Sequence, residues 1–567
     1  MINLTEKYIL EQRNAQGELE SIKIRRPQSF NFAYDIVDTI ASQEPNKTAM
    51  IWTNEEGEQH NFSFADMKRW SDKTANYFKS LGIGKGDFVL AILRRHYQFW
   101  FTALALEKIG AVLVPATCML KKHDLEYRIK SGDIKHIICS NFGDTADLAD
   151  EVCAEIPDFK NKILVNGHGK DYKACATRAY RDGWCDFNTG VRNSAENLER
   201  TETKVDEPML IYFSSGTAGE PKMVMHNHEY ALAHIQTAKY WQQVDPNGLH
   251  FTIADTGWAK CAWGKIYGCW ACEGANFVYD FIRFKAEDIL QKVQDFEVTT
   301  LCCPPTMYRM FKIAGIRKYD FKHLKRCLTA GEALNPDLYK FWLERTGLPI
   351  YEGFGQTETV CCIYVPDDQK VPEGSMGKPA PIYDLQLINE EGKISKPGEV
   401  GEICIKLQPA KDSDDPILAS APGILMRYYK EDEITREAKR DYWYHTGDTA
   451  WADEDGFLFY VGRNDDLIKS SGYRIGPHEV ESVMLEHDAV AECAITGVPD
   501  KVRGAIVKAS VVLNAGFSPS EELTKELQKW VKNKTAPYKY PRLIEYVDEL
   551  PKSISGKIQR AQIRKQD

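Results

Sequence analysis

At 567 residues the chain is longer than one ordinary core supports, so two or more domains are expected. Its 43% hydrophobic and 27% charged residues are the balance of a soluble globular protein with ample apolar side chains to bury. A formal charge of -10 speaks against a sequence-wide affinity for nucleic acid or anionic membrane, while leaving room for local basic clusters that hold phosphates.

The first residues, Met1-Ile2-Asn3-Leu4-Thr5-Glu6-Lys7, carry no basic segment leading into an apolar core, so no secretory signal is expected. No apolar run reaches membrane-spanning length. Fifteen cysteines, scattered and odd in number, read as reduced thiols of a cytoplasmic enzyme. Cys269 and Cys272 form a C-x-x-C, for which metal or redox work stays open beside ordinary thiols. An amphipathic helix starts at 30–37, and 48–52 reads as a strand. Residues 64–81 read as a helix ended by the Gly82-Ile83-Gly84-Lys85-Gly86-Asp87 turn, with a strand at 88–93 after it. A strongly apolar helix at 98–109 and strands at 111–115, 134–139 and 162–165 continue the alternation, and 166–200 is polar and loop-rich. Strands alternating with helices predict a mainly parallel sheet covered on both faces, with ligands beyond the carboxyl ends of its strands.

A buried strand at 209–213 runs into Ser214-Ser215-Gly216-Thr217-Ala218-Gly219-Glu220-Pro221-Lys222. From His228, Ala231, Ile235, Ala238 and Trp241 recur at helical spacing, which predicts strand, loop and helix in succession. Glycines let backbone N–H groups approach an anion, hydroxyls add donors, and Lys222 adds a mobile charge. The spacing is not the Walker pattern, so the loop alone leaves a phosphate cradle and a plain turn both open. A strand from Phe251 reaches Asp255-Thr256-Gly257-Trp258-Ala259-Lys260, followed by Trp263, Gly264, Tyr267, Gly268 and Trp270, rings beside glycines that suit tight helix packing. Strands follow at 299–306 and 326–330, then Ile350-Tyr351-Glu352-Gly353-Phe354-Gly355-Gln356-Thr357-Glu358-Thr359. The span 374–462 has short alternating strands with Gly and Asp/Glu turns, which suggests a small antiparallel barrel ending near Tyr444-His445-Thr446-Gly447-Asp448. A charged link, Arg463-Asn464-Asp465-Asp466, then opens a small α+β domain. In that domain 479–486 reads as helix and 489–496 and 505–513 as strands, with a capping box at Ser518-Pro519-Ser520-Glu521 placing proline in the first turn of the next helix.

Ser-Ser-Gly-Thr-x-Gly-x-Pro-Lys resembles the signature of the adenylate-forming superfamily, with the closest likeness to the medium-chain acyl-CoA synthetases. The tail Pro551-Lys552 to Gly556-Lys557-Ile558-Gln559-Arg560 matches the same family's end, so the resemblance covers nearly the whole chain. Alternation and resemblance together predict an α/β fold. A large N-terminal domain of two mainly parallel α/β sheets plus a small β-barrel (1–464, barrel about 374–462) precedes a small mobile α+β domain (465–567).

The resemblance implies an AMP-forming ligase of fatty acid metabolism, using ATP, magnesium and coenzyme A to turn a carboxylic acid into acyl-AMP and then a thioester. It gives Ser214, Ser215, Gly216, Thr217, Gly219 and Lys222 to the phosphates. Gly331, Glu332, Glu352, Gly353, Phe354, Gly355, Gln356 and Thr357 fall to the nucleotide wall, and Glu358 with Thr217 to the metal. Asp448 goes to the ribose, Arg463 and Arg474 to the nucleotide, and Asp465 to a hinge. Lys557 serves the adenylation step, although a tail lysine is by itself more often a solvated residue. Ser471 and Gly472 border the pantetheine tunnel, with Lys532 for the 3′-phosphate. Trp258, Gly264 and Gly355 line the acyl pocket. Acetate-using relatives have tryptophan at the place of Gly355, so glycine implies open space and a medium-chain, branched or aryl acid. A stand-alone enzyme loading a carrier protein is the alternative, and a non-catalytic nucleotide sensor is a third reading. Ten residues follow Lys557, so no fused carrier domain is expected. The partners are then small molecules, with no nucleic acid and no integral membrane segment, and a homo-oligomer is left open.

Overall fold

The computed structural model describes residues 2–166, 181–214, 220–366, 371–411, 413–470, 473–552 and 557–566. Two large sheets dominate it. One has eight strands, with Val112–Pro115, Phe88–Ile92, His136–Ser140, Asn161–Val165 and Cys185–Asp186 parallel beside Pro208–Ser214, and Lys222–Asn227 and Arg427–Tyr428 antiparallel at the other edge. The other has nine, with a parallel centre from Ile350–Phe354 through Arg326–Ala330, Thr300–Cys302, Leu249–Thr252 and Ala275–Asp280 to Thr48–Asn54. Central strands such as Val112–Pro115 and His136–Ser140 are buried at every residue, as parallel strands covered on both faces must be. The Gln98–Ile109 helix is likewise buried all round, as its largely apolar composition requires, with Lys108 paired to Asp38 and Asp72. The Phe64–Ser80 helix is amphipathic and opens on a capping box between Ser63 and Asp66.

Several local expectations change. The Ser214–Lys222 loop joins two antiparallel strands rather than a strand and a helix: Ser214 pairs with Lys222 and Phe213 with Met223. Met223-Val224-Met225 is a short apolar run that fills a buried strand, and the helix begins only at Glu229. A short helix, Leu4–Tyr8, leads into a hairpin, Ile9–Arg13 against Leu19–Ile24, that the polar alternation hides. The span read as a small barrel holds a four-stranded antiparallel sheet ordered Leu385–Ile388, Gly401–Lys406, Trp443–Ala452, Leu458–Arg463.

Past it, Val490–Asp500 and Gly504–Leu513 form a long hairpin, and Leu543–Tyr546 adds in parallel. The helix start is displaced by two residues and carries a single cap rather than a capping box. Ser520 is the N-cap, accepting from the Leu523 N–H at 3.1 Å, and Pro519 lies before the helix Glu521–Lys534 rather than in its first turn. Cys269 and Cys272 are free thiols in an apolar cluster with Ala238 and Val244, and burial pushes the Cys272 thiol up to about 12. That suits ordinary core packing, and no described residue offers them a second ligand pair.

Candidate active site

The site lies where the carboxyl ends of strands from the second large sheet meet the four-stranded sheet and the C-terminal tail. Ser214 and Lys222 flank the phosphate loop, and the Ser214 hydroxyl donates to the Lys222 carbonyl at 3.4 Å. Ser215, Gly216, Thr217 and Gly219 lie outside the described residues. Lys222 places its ammonium 5.1 Å over the Tyr428 ring, a cation–π contact made across neighbouring strands. The Tyr428 hydroxyl donates to Glu358 at 3.0 Å. Burial pushes the Glu358 carboxyl above its ordinary range, against the pull of the Tyr428 hydrogen bond and the Lys222 and Arg463 charges. Phosphate cation and metal-ligand candidate therefore share one neighbourhood, and Tyr428 joins them.

The carbonyl of Met426, two residues before Tyr428, is held by a lysine that sequence reasoning passed over. Lys439 is 1% exposed, and its ammonium donates to the carbonyls of Ile417, Ala419 and Met426 at 2.7 to 2.9 Å. Burial lowers its pKa to about 7. The unfolded chain therefore binds the proton that the folded one sheds between about pH 7 and the ordinary lysine value, so this group makes stability rise with pH in that window. Lys439→Met should cost about 2 kcal/mol at pH 8, because the three buried carbonyls lose their amine donor. The gap from wild type should widen toward pH 10. Urea midpoints measured at both pH values check this, and equal midpoints would contradict it.

The Ile350–Phe354 strand delivers the motif loop to the four-stranded sheet. Gln356 donates to the Thr446 carbonyl at 2.8 Å and to Asp448, and accepts from the Tyr444 hydroxyl at 2.8 Å. Asp448, 6% exposed, also accepts from the Tyr460 hydroxyl at 2.9 Å. Burial pushes its carboxyl up, against Arg463, these two hydrogen bonds and the charge of Lys557. Tyr460 faces the Phe354 ring, centroids 6.2 Å apart. Arg463 reaches Asp465 at 3.2 Å, and the pull of Asp448 and Asp465 outweighs the burial that opposes its charge. Glu332 accepts from Thr306 at 2.8 Å, and Gly331 takes a φ of +98° that suits glycine at the strand end. Glu352 is held protonated near neutrality, pushed by burial to about 8, and accepts from the Leu334 N–H at 3.4 Å. Asp448, Gln356, Phe354, Glu358 and Arg463 thus come together, with Lys557 within electrostatic reach.

Lys557 itself is exposed, on a segment anchored by its neighbours. Arg560 forks onto Glu481 with contacts of 2.7 Å and lies 3.5 Å from Asp466, which also takes Arg564 at 2.6 Å. Ser471 and Gly472 fall outside the described residues, and of Arg474 only the backbone pairing with Lys469 is described. Lys532 is exposed, 5.7 Å over the Tyr540 ring. Tyr473 stacks on Tyr538 at 4.0 Å, an aromatic pair that sequence reading missed.

The acyl-pocket expectation is corrected. A Cβ on Gly355 would lie 2.4 Å from the Trp263 ring and 2.5 Å from the Val360 carbonyl, so an indole from the facing helix already fills the space the glycine was expected to leave open. Gly264 is placed against the Leu249–Thr252 strand, where a Cβ would meet the Thr252 hydroxyl at 2.0 Å; its absence lets helix Ala259–Lys265 pack. Trp258 caps that helix, half-buried. Among the described residues Glu402, Cys404 and His445 also cluster at metal-ligand distance, but Arg440 lies 3.2 Å from Glu402 and supplies the positive charge there.

The model of the AMP-binding enzyme family matches residues 37–409, and that of the AMP-binding enzyme C-terminal domain matches 479–557. Acyl-coenzyme A synthetase ACSM5, mitochondrial, of Homo sapiens is 38% identical over 561 residues, covering 97% of this chain and 93% of the relative. Acyl-coenzyme A synthetase ACSM4, mitochondrial, of Rattus norvegicus is 39% identical, covering 95% and 91%. Among solved structures, the anthranilate CoA ligase AuaEII in complex with anthranoyl-AMP superposes with a TM-score of 0.83 at 27% identity, covering 95% of this chain and 98% of that one.

Proposed function

The chain belongs to the AMP-binding enzyme family, and on that premise we propose the reaction it performs: activation of a carboxylic acid by ATP to acyl-AMP, then thioester formation with coenzyme A. In the first step a carboxylate oxygen attacks the α-phosphorus and the bond to pyrophosphate breaks. In the second, the thiol attacks the acyl carbonyl and AMP leaves. Both steps ask mainly for positioning and for neutralisation of phosphate charge. Lys222 and the 214–219 loop take the leaving phosphates. Asp448 takes the ribose hydroxyls, exchanging its bonds to Gln356 and Tyr460 for them, and Phe354 lies against the purine face. Lys557 meets the charge growing at the α-phosphate. The observation that carries this reading is geometric: Gln356 and Tyr460 converge on the buried Asp448 carboxylate, while Tyr428 joins Glu358 to the Lys222 ammonium.

Glu358 is the carboxylate that fits magnesium, a hard cation that binds one or two protein oxygens plus phosphate oxygens and neutralises their charge when bound. Tyr428 engages one of its oxygens, and the Lys222 ammonium lies over that same tyrosine ring, so both charges are available to one phosphate group. Glu358→Gln should raise the magnesium concentration for half-maximal pyrophosphate release by roughly tenfold, since the neutral amide is a poorer ligand. An unchanged magnesium requirement would remove Glu358 from that role.

For thioester formation the C-terminal domain turns about Asp465, withdrawing Lys557 and bringing Gly472 to the pantetheine tunnel. The acid is medium-chain, branched or aryl, with the Trp263 indole as the wall that limits its reach. Release of AMP and pyrophosphate with a panel of such acids, compared between coenzyme A and a phosphopantetheinylated carrier, tests the whole reading. Turnover with the carrier alone would redirect it to carrier loading, and no release with any acid would overturn it. The enzyme is expected in the cytoplasm, which activity in fractionated cells would check.

A further inference from the structure

Behind the Gly355 loop lies a row of buried polar side chains. His226 stands on the Lys222–Asn227 strand, and Tyr230 and His234 follow one helical turn apart on the Glu229–Gln236 helix. The Tyr230 ring stacks on His226 at 3.9 Å and meets the His234 ring edge-on at 4.4 Å. Trp263 approaches from the opposite side, its centroid 6.3 Å from that of His234, with its ring beside Gly355. His226 donates to the Thr357 carbonyl at 2.8 Å, so the row is fastened to the motif loop.

Four polar atoms of Tyr230, His234 and Trp263 lack a hydrogen bond from the protein, namely the Tyr230 hydroxyl, both ring nitrogens of His234 and the Trp263 indole N–H, and His226 Nδ1 in the same row lacks one too. Tyr230 and Trp263 lie near each other but outside bonding geometry. The three residues are 0%, 0% and 5% exposed. Buried polar atoms are nearly always paired, and a cluster of unpaired ones in contact with a substrate loop needs a partner from outside the protein. A simple acyl wall would be lined by aliphatic side chains instead.

We propose that Tyr230, His234 and Trp263 recognise an uncharged hydrogen-bonding group on the acyl portion of the acid, a hydroxyl, keto or amide function distal to the carboxylate. The inference rests on the acyl-CoA synthetase reading above and specifies the substrate class of that site. The donor set matches such a group, because imidazole and phenol each both donate and accept while indole donates. Burial drives the His226 and His234 rings toward their neutral forms, so the row offers no cation for a second carboxylate. A purely apolar chain in the same place would strand all four atoms, whereas a polar tail pairs them as it enters. Sites built to bond a substrate hydroxyl reject the analogue that lacks it far more strongly than apolar pockets reject an extra one.

The full-length enzyme with matched acids tests this: pentanoate against 4-oxopentanoate, hexanoate against 5-hydroxyhexanoate, and benzoate against 3-hydroxybenzoate. The ratio of kcat/KM for AMP release is expected to favour the polar member by roughly tenfold or more in at least one pair. Tyr230→Phe removes one hydroxyl and keeps the ring contacts, and it should bring that ratio toward one. A wild-type ratio at or below one in every pair would overturn the proposal, since the atoms would then hold only buried water. Equal loss on both members of a pair in Tyr230→Phe would also overturn it, as the mark of a structural role. No turnover of any acid would instead fail the synthetase reading and take this inference with it.

Discussion

Lys557→Ala is expected to slow acyl-adenylate formation by about a thousandfold, the upper range for losing one preorganised charge on a transition state. Conversion of supplied acyl-AMP and coenzyme A to thioester should fall by no more than about threefold, because that step makes no use of the ammonium. The asymmetry follows from where the charge sits. Lys557 is exposed on the tail, and its charge is among those that oppose the burial of the Asp448 carboxyl, the group proposed to hold the ribose. Arg560 holds that tail segment to Glu481 and Asp466, which fixes the register of Lys557 without depending on it. Truncating an exposed side chain beside an intact anchor leaves the fold alone. Pyrophosphate exchange measures the first step and single-turnover thioester formation from acyl-AMP the second. Equal losses in both would contradict a role confined to adenylation, and undiminished exchange would remove Lys557 from the chemistry altogether.

The parts of this site that could be read from sequence are those whose chemistry is local. Gly-Gln-Thr-Glu puts Glu358 just past the Ile350–Phe354 strand, and Thr-Gly-Asp puts Asp448 at a bulge within the Trp443–Ala452 strand, where Gly447 takes a φ of +73°, so residue type and spacing suffice to single them out. Tyr428 acts on Glu358 from some 70 residues away, through an edge strand only two residues long, and no periodicity announces such a strand. The hairpin at Lys222–Asn227 was hidden for a related reason. Its three central residues are apolar without alternation, a pattern that a helix entry shows equally well. Gly355 illustrates the limit most plainly. Its missing side chain was legible, but the indole that takes up the space comes from a helix 92 residues earlier, and its direction depends on Gly264 letting that helix settle on its strand. Alternating strands and helices, by contrast, set the two parallel sheets, because burial on both faces imprints continuous apolar runs.

Trp263→Gly should move the acid preference toward longer straight chains. The Trp263 ring lies where a Cβ on Gly355 would go, 2.4 Å from it, so a chain passing the motif loop meets the indole face rather than open space. Removing the indole extends that path. Each methylene newly taken out of water is worth about 0.8 kcal/mol, so four of them add about 3 kcal/mol, or on the order of a hundredfold in kcat/KM for octanoate relative to butanoate. The exchange is costly to the fold, because Trp263 is 5% exposed and leaves a cavity worth about 3 to 5 kcal/mol until a substrate fills it. Octanoate or octanoyl-AMP should therefore raise the melting temperature of the variant more than that of wild type, by mass action on the filled form. A companion change, Gly355→Ala, pushes the other way: the added methyl collides with the ring and with the Val360 carbonyl, destabilising the loop and shortening the pocket. A chain-length profile in Trp263→Gly that matches wild type, in a variant still folded by circular dichroism, would show that the acid runs elsewhere than past Gly355.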